Sequence, residues 1–253
     1  MSRTTSFLSL FASLLFITTI NAYPTPRSSP SMLTNFLKDI QLTNCPFGDT
    51  ITLPQSTLPA PSEGLSLKSI TIGRGTQNYT CVSDTDTDTT TPQATGATAT
   101  LFDASCLAAL GNDNKNSPET QSPLYLLPDL LKTIPLSSVD FLVNILTHST
   151  GQNLAIGQHY FTADGVPFFD LRGRNSSDGS DWIAAEKEDE MNAPPKPGYG
   201  VTGDVAWLKL KGVEGGLSEV YRVHTAGGSP PATCEGMSGE FTLDYTSEYW
   251  FYG

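Results

Sequence analysis

The sequence has few basic residues. Its 14 lysines and arginines stand against 26 aspartates and glutamates, and the formal net charge is −12. Proteins that bind nucleic acid or anionic lipid need clustered positive charge to neutralise the phosphates. The charge balance therefore argues against both kinds of partner. It favours a protein that stays in solution in an acidic or polysaccharide-rich medium.

The glycine-rich motifs by which enzymes bind nucleotides are also missing. A dinucleotide-binding fold needs G-x-G-x-x-G between a strand and a helix. The segment Gly73-Arg-Gly-Thr-Gln-Asn has the first two of these glycines and then runs into another predicted strand. No P-loop is present, and Gly212-Val-Glu-Gly-Gly is a predicted turn. The sequence therefore argues against a nicotinamide enzyme, and we expect no cofactor.

No motif for nucleophilic or metal-assisted catalysis is complete. Gly236-Met-Ser-Gly is one residue shorter than the G-x-S-x-G nucleophile elbow, so we predict a turn there. No two histidines have the i, i+2 or i, i+4 spacing that would place two metal ligands on one element. The three histidines are His148, His159 and His224. The sequence therefore predicts no metal site and no catalytic residue.

Carboxylate chemistry is the one catalytic route that the sequence leaves open. Glycosidases need two carboxylates that flank the scissile bond, and 26 acidic residues do not single out a pair. Asp103, Asp170 and Glu248 are predicted to be partly buried, because apolar or aromatic residues bracket each of them. Buried carboxylates accept backbone hydrogen bonds more often than they catalyse. A polysaccharide hydrolase that uses two carboxylates therefore remains the alternative function.

Long hydrophobic runs are absent as well. The longest, from Phe7 to Ile20, has 14 residues, fewer than the roughly 20 that a membrane-spanning helix needs. It follows Arg3 and precedes the small residue Ala22 and a proline-rich stretch, which is the three-part organisation of a signal peptide. We therefore predict a cleaved signal at residues 1–22, a secreted, extracellular protein and no membrane association after cleavage.

Four cysteines follow the predicted signal, and an even number in an exported chain indicates two disulfides. They are Cys45, Cys81, Cys106 and Cys234, for which three connectivities are possible. Export also makes the sequons at Asn78 and Asn175 candidate N-glycosylation sites. In the predicted strand 76–82, alternation places Asn78 and Thr80 on the solvent face and Tyr79 and Cys81 toward the core.

The pattern of short apolar runs separated by Gly, Pro, Asn and Asp predicts an all-β fold. We expect a sandwich or barrel of about eight to ten short strands, as one domain over residues 45–253 with a helical insertion at about 124–147, broken near Pro135. Residues 23–44 form a Pro/Ser-rich leader and a short helix. The segment Glu186–Glu190 and the prolines after it are predicted to be a charged linker. The predicted strands are Leu65–Ile72, Thr76–Val82, Ala97–Asp103, Ile156–Thr162, Val166–Leu171, Val205–Leu210, Glu219–Thr225, Glu240–Thr246 and Tyr249–Tyr252.

Seven blocks of sequence carry a family resemblance when they are taken together and in order. The blocks are Leu58–Pro61, Gly73–Cys81, Ala99–Cys106, Gly157–Phe161, Val205–Leu210, Tyr221–Gly228 and Glu248–Phe251. The chain resembles domain-of-unknown-function family 3455 over about residues 45–252, a family best represented among secreted fungal proteins. Some members carry an automatic malate dehydrogenase label, which the missing dinucleotide motif and the predicted export signal argue against here.

The resemblance also implies a disulfide pairing. Shorter bacterial-type members keep cysteines that match Cys81 and Cys234 and lack partners for Cys45 and Cys106. The implied pairs are therefore Cys81–Cys234 and Cys45–Cys106. The family brings no established catalytic residues that could be transferred to this chain.

Taken together, these observations predict a secreted fungal protein, effector-like or associated with the cell wall, that binds without catalysing a reaction. Its expected partner is a glycan or protein of the wall or the host apoplast, and we expect a monomer. If the protein has a ligand pocket, the residues predicted to line it are His159, Tyr160, Asp170 and Trp207.

Overall fold

The computed structural model describes residues 41–47, 51–81, 91–111, 123–174, 179–196 and 203–253. Within them, eight antiparallel strands form a closed barrel in which consecutive strands are neighbours and the last pairs with the first. The predicted all-β class is confirmed, and of the two expected architectures the chain adopts the barrel. The strands are β1 (Leu67–Cys81), β2 (Gln93–Asp103), β3 (Ala155–Phe161), β4 (Pro167–Asp170), β5 (Trp182–Met191), β6 (Trp207–Gly215), β7 (Glu219–Gly227) and β8 (Gly239–Tyr252).

Three helices lie between β2 and β3 in the described part of the chain. They are α1 (Ser105–Gly111), α2 (Pro123–Lys132) and α3 (Leu136–Thr150), and a short 3-10 turn at Arg172–Arg174 follows β4. The break between α2 and α3 lies where the sequence predicts an interruption near Pro135. None of the helices in the described residues is both long and apolar enough to cross a bilayer.

Alternate residues of each strand point into the barrel, and large apolar side chains fill it. The interior cluster consists of Ala97, Ala99, Leu101, Ile156, Phe169, Leu171, Ile183, Ala185, Leu210, Leu217, Val220, Tyr245, Tyr249 and Phe251. Gly73 and Gly75 lie on β1, where the sequence predicts a break between two strands. A Cβ atom at Gly73 would collide with the ring of Tyr249, and one at Gly75 with the carbonyl oxygen of Thr98. Glycine therefore permits close packing here, and β1 continues unbroken.

A second apolar cluster covers the outside of β1, β7 and β8. Side chains of α1, α2 and the segment before β1 pack there on Ile72, Tyr221, Val223 and Trp250. The C-terminal half of β8 is therefore buried on both faces. Arg74 on β1 is fully buried under α2, and its guanidinium donates to the carbonyl oxygens of Leu131 and Ile134, both at 3.3 Å.

The two predicted disulfides are present, and no described cysteine is free. Cys45 is bonded to Cys106 and Cys81 to Cys234, which is the pairing that the family resemblance implies.

The alternation of side chains along β1 agrees with the prediction that the sequon residue Asn78 lies on the solvent face of its strand. Tyr79 and Cys81 are buried, whereas Asn78 and Thr80 are half-exposed on the outer wall. Asn175 lies outside the described residues, as do the predicted signal at 1–22 and residues 23–40 of the leader.

The predicted linker at Glu186–Glu190 is wrong, because these residues belong to β5 and pair with β6. Their charged side chains face solvent or the rim of the barrel, so no alternation of apolar and polar residues marks the strand in the sequence.

Candidate functional site

The structure does not bring the four predicted pocket residues together. His159 on β3 points into the barrel, where its ring stacks on Phe169 with the centroids 4.0 Å apart. Tyr160 and Asp170 lie on the outer wall of β3 and β4. Trp207, at the start of β6, is buried in the outer cluster that α2 covers. Two regions, the outer wall of β3–β5 and the barrel interior, are therefore the candidate sites.

Three aromatic side chains form a row across the outer wall of β3, β4 and β5. Tyr160 stacks on Phe168 with the ring centroids 5.2 Å apart, and Phe168 stacks on Trp182 at 5.3 Å. Tyr160 is 36% exposed and the other two rings are half-buried. Because the helices of the described residues pack mainly against β1, β7 and β8, this row stays accessible. With Asp170 and Arg172 beside it, we call it the aromatic face.

Asp170 and Arg172 form a two-pronged ion pair on the aromatic face. Arg172 Nε donates to Asp170 Oδ1 at 2.9 Å, and Nη2 donates to Oδ2 at 2.6 Å. The guanidinium lies 5.9 Å from the ring centroid of Trp182. Hydrogen bonds from Arg172 hold the pKa of Asp170 below its usual range. The carboxylate is therefore charged at neutral pH and fixed beside the aromatic rings.

Inside the barrel, the two ends differ in how completely side chains close them. At the sealed end, where β1 begins and β8 ends, the interior side chains are buried, and four of them are at most 1% exposed: Leu171, Ile183, Val220 and Phe251. At the opposite, open end, four side chains that face the interior are only half-buried: Phe161, Leu208, Arg222 and Leu243. Solvent therefore reaches the interior at the open end.

Arg222 on β7 is a charged group of that interior. It is opposite Leu208 of β6 and Tyr249 of β8, and residues directly opposite each other in an antiparallel pair share a face of the sheet. Its Nε and Nη2 donate to the carbonyl oxygen of Ala206 at 3.1 and 2.9 Å.

The other buried cations of the described residues have carboxylate partners. Lys196 lies 2.8 Å from Asp129, and Lys209 lies 3.3 Å from Glu219. Arg222 forms no such ion pair within the described part of the chain.

His159 is a neutral neighbour of Arg222. Burial lowers its pKa to about 4, and the charge of Arg222 acts in the same direction. Its Nδ1 lies 2.9 Å from the carbonyl oxygen of Phe168. Since a carbonyl oxygen can only accept, Nδ1 carries the proton, and Nε2 is left as an acceptor within the barrel.

Three tyrosines complete the polar part of the interior. The hydroxyls of Tyr245 and Tyr249 are 2.9 Å apart, and the hydroxyl of Tyr79 donates to the carbonyl oxygen of Gly228 at 2.8 Å. Burial raises the pKa of all three, while the charge of Arg222 opposes the rise. The phenols therefore stay protonated. The side chain of Gln77 is buried beside the hydroxyl of Tyr245.

His224 and Glu248 form a buried hydrogen-bonded pair on the outer wall under α2. His224 Nδ1 lies 2.7 Å from Glu248 Oε1, and Trp250 Nε1 donates to Oε2 at 2.9 Å. Alternation predicts His224 on the same face as Arg222, which is wrong: β7 has a bulge after Val223, and His224 has a φ of 45°. Glu248 is fully buried, so this pair holds the outer cluster together and does not face a ligand.

The three carboxylates that the sequence suggests for hydrolysis all have hydrogen-bond or ion-pair partners. Asp103 accepts hydrogen bonds from the backbone amides of Ser105 at 2.8 Å and Asn44 at 3.1 Å. Asp170 is paired with Arg172, and Glu248 with His224. In the described residues, no three His, Cys, Asp or Glu side chains cluster as metal ligands would.

The sequence alone does not indicate that Phe168, Trp182 or Arg222 belongs to a candidate site. The alternation of β7 places Arg222 on the face of Val220, and this is the signal that would have marked an inward-pointing cation. The alignment of Phe168 with Tyr160 and Trp182 depends on the strand register, which no local pattern specifies.

Comparison with known proteins identifies one family. The family described as protein of unknown function (DUF3455) matches residues 61–253. No curated protein and no solved structure matches the chain.

Proposed function

This chain belongs to the DUF3455 family, whose function is unknown, and we propose that it is a secreted, non-catalytic protein that binds a wall polysaccharide through the aromatic face. The observation that carries the proposal is the row of three stacked rings, Tyr160, Phe168 and Trp182, on a wall against which the helices of the described residues do not mainly pack. Exposed apolar clusters of this kind mark binding surfaces.

The aromatic face is held in place before a ligand arrives. Phe168 is stacked between its two neighbours, so binding costs little side-chain entropy. Tyr160 ends the row with a ring that is 36% exposed. The C–H face of a sugar ring is weakly positive and packs well against the negative face of such an aromatic ring.

The ion pair beside the rings supplies the polar part of sugar recognition. A sugar hydroxyl both donates and accepts hydrogen bonds, and neighbouring hydroxyls on a ring are spaced to meet a planar pair of groups. Asp170 offers acceptors and Arg172 offers donors in fixed positions. Stacking together with this pair favours a glycan over a purely apolar partner.

The remaining observations support an extracellular setting without catalysis. The paired cysteines suit an oxidising compartment, and the sequon residue Asn78 lies half-exposed on the outer wall. Asp103, Asp170 and Glu248 already have hydrogen-bond partners, which argues against a pair of free catalytic carboxylates.

Retention on insoluble polysaccharides tests the proposal. The protein without residues 1–22 is incubated with chitin, cellulose and β-glucan, and the fraction left in solution is measured over a range of polymer concentrations. We expect at least one polymer to retain the protein. Trp182→Ala and Tyr160→Ala each remove a ring from the row, so we expect each to weaken retention about tenfold, the loss of about 1.4 kcal/mol that a hot-spot aromatic typically gives.

Phe141→Ala is the matched control, because Phe141 is an aromatic residue on α3 that is 64% exposed and does not belong to the aromatic face. We expect its retention to equal that of the wild type. If no polymer retains the wild type, or if Trp182→Ala is retained as well as Phe141→Ala, the proposed function is wrong.

A further inference from the structure

The open end of the barrel contains a positive charge that has no counter-ion among the described residues. Arg222 is half-buried among interior side chains, and its guanidinium donates two hydrogen bonds to a single carbonyl oxygen, that of Ala206. Burying a cation without an anionic partner is costly. The same chain pairs its buried lysines, Lys196 and Lys209, with carboxylates.

The groups around Arg222 do not supply the missing negative charge. His159 is neutral at neutral pH, since burial lowers its pKa to about 4, and the phenols of Tyr245 and Tyr249 have raised pKa values. Near the open end, Lys187 and Glu190 of β5 are opposite residues of β6 that face the interior. Lys187 Nζ and Glu190 Oε2 are 2.8 Å apart, so the two charges neutralise each other. Arg222 thus has no anionic partner in the described part of the chain.

We propose that the open end binds a small organic carboxylate, with Arg222 as its counter-ion. A single guanidinium presents a planar fork of donors that matches a carboxylate. The buried Nε2 of Gln77, beside the hydroxyl of Tyr245, is a further donor in this interior. A ligand with one carboxylate would therefore supply the anionic partner that Arg222 lacks among the described residues.

The walls indicate what the rest of the ligand is like. Phe161, Leu208 and Leu243 face the interior at this end and are half-buried, so an apolar body would cover them. Below them, the rings of Phe169 and Tyr249 fill the barrel, which limits the ligand's depth and size. The chemistry therefore fits a small aromatic or short aliphatic monocarboxylate.

This site is independent of the aromatic face. His159 and Tyr160 are consecutive on β3 and point to opposite sides of the wall. A substitution on one side can therefore be tested without removing a residue of the other.

Binding of benzoate, phenylacetate and octanoate by the protein without residues 1–22 tests this inference, with benzyl alcohol as the uncharged probe. Isothermal titration calorimetry at pH 7 measures the affinity. We expect at least one carboxylate to bind with one-to-one stoichiometry and benzyl alcohol to bind at least tenfold more weakly. Arg222→Gln removes the charge, so we expect it to weaken carboxylate binding at least tenfold.

Arg174→Gln is the matched control, because Arg174 lies on the 3-10 turn after β4, outside both candidate sites, and donates to the carbonyl oxygen of Lys68. We expect it to bind the carboxylate as the wild type does. If none of the three carboxylates binds, if Arg222→Gln binds like the wild type, or if Arg174→Gln loses binding, the inference is wrong.

A measurement on the wild type keeps the test valid if Arg222→Gln fails to fold. We expect the bound carboxylate to shift the backbone amide resonances of residues 220–224 on β7 and 158–161 on β3 in ¹H–¹⁵N spectra. Shifts confined to the sealed end or to the outer wall of β5 would overturn the assignment.

Discussion

The two ends of the barrel are formed by the same eight strands, yet different side chains fill them. At the sealed end, Ile183, Val220 and Phe251 are fully buried in an apolar cluster. At the open end, Arg222 and Phe161 remain half-buried, and polar groups without ionic partners lie in the interior. Folded proteins are stable by only about 5–15 kcal/mol, so a chain tolerates few half-buried charges that lack an ionic partner. Where such groups persist, they are expected at functional positions.

Apolar closure is not what holds the open end in place. Cys81, at the end of β1, is bonded to Cys234, 153 residues along the chain. The second disulfide ties Cys45 to Cys106 of α1, beyond the other end of the barrel. Covalent links that close long loops restrict the unfolded chain. A disulfide at the open end therefore lets its interior stay accessible to solvent without loss of the barrel.

The largest expected difference between the ends is in the cost of removing an interior phenylalanine. Phe251 is fully buried and contacts the rings of Phe169 and Tyr249. We expect Phe251→Ala to lower the free energy of unfolding by about 5 kcal/mol, the upper range for such truncations. Chemical denaturation followed by fluorescence measures this change.

Phe161→Ala is the comparison at the open end. Phe161 is only half-buried and still contacts solvent. We therefore expect Phe161→Ala to lower the free energy of unfolding by about 2 kcal/mol, mainly because folding then removes less apolar surface from water. Equal losses for the two variants would contradict the distinction between a sealed and an open end.

The next largest effect is expected in the pH dependence of stability. The pKa of His159 is about 4 in the folded chain against 6.5 when unperturbed. Between these values the unfolded chain binds a proton that the folded chain does not, so stability falls as the pH falls from 6.5 to 4. We expect a total of about 3 kcal/mol from this group. Its contribution is constant above pH 6.5.

His159→Phe retains an aromatic ring against Phe169 and cannot be protonated. Between pH 6.5 and 4, we expect the unfolding free energy of His159→Phe to fall by about 3 kcal/mol less than that of the wild type. His148→Phe, at an exposed position on α3, serves as the control and should keep the wild-type pH dependence. An unchanged pH profile for His159→Phe would show that burial does not hold this histidine neutral.

Much of the barrel could be predicted from the sequence, because short apolar runs bounded by Gly, Pro, Asn and Asp are a local signal. The predicted strands Ala97–Asp103, Ile156–Thr162 and Glu219–Thr225 coincide closely with β2, β3 and β7. The errors occur where packing between distant segments overrides the local pattern. Gly73 resembles a turn residue, but the ring of Tyr249, which comes from the other end of the chain, makes glycine necessary there.

The candidate sites were harder to predict for the same reason. Tyr160 and Asp170 belong to the aromatic face, but Phe168 and Trp182 join them only through the pairing of β3, β4 and β5. Likewise, the sequence does not show that Arg222 lacks a carboxylate partner among the residues that the structure describes. Such a property depends on which side chains the closed barrel brings together.

The free energy of unfolding of Arg222→Met tests the central claim most directly, with Lys196→Met as the comparison. Lys196 is paired with Asp129 and Asp204, so its loss leaves buried carboxylates unpaired and is expected to cost about 4 kcal/mol. Arg222 has no such partner in the described residues, and its loss forfeits two hydrogen bonds to Ala206 and a hydrogen bond to Tyr249 while removing a half-buried charge. We expect the ligand-free Arg222→Met protein to be as stable as the wild type to within about 1 kcal/mol. A loss as large as that of Lys196→Met would show that Arg222 is part of the structural framework and contradict a role for it in binding.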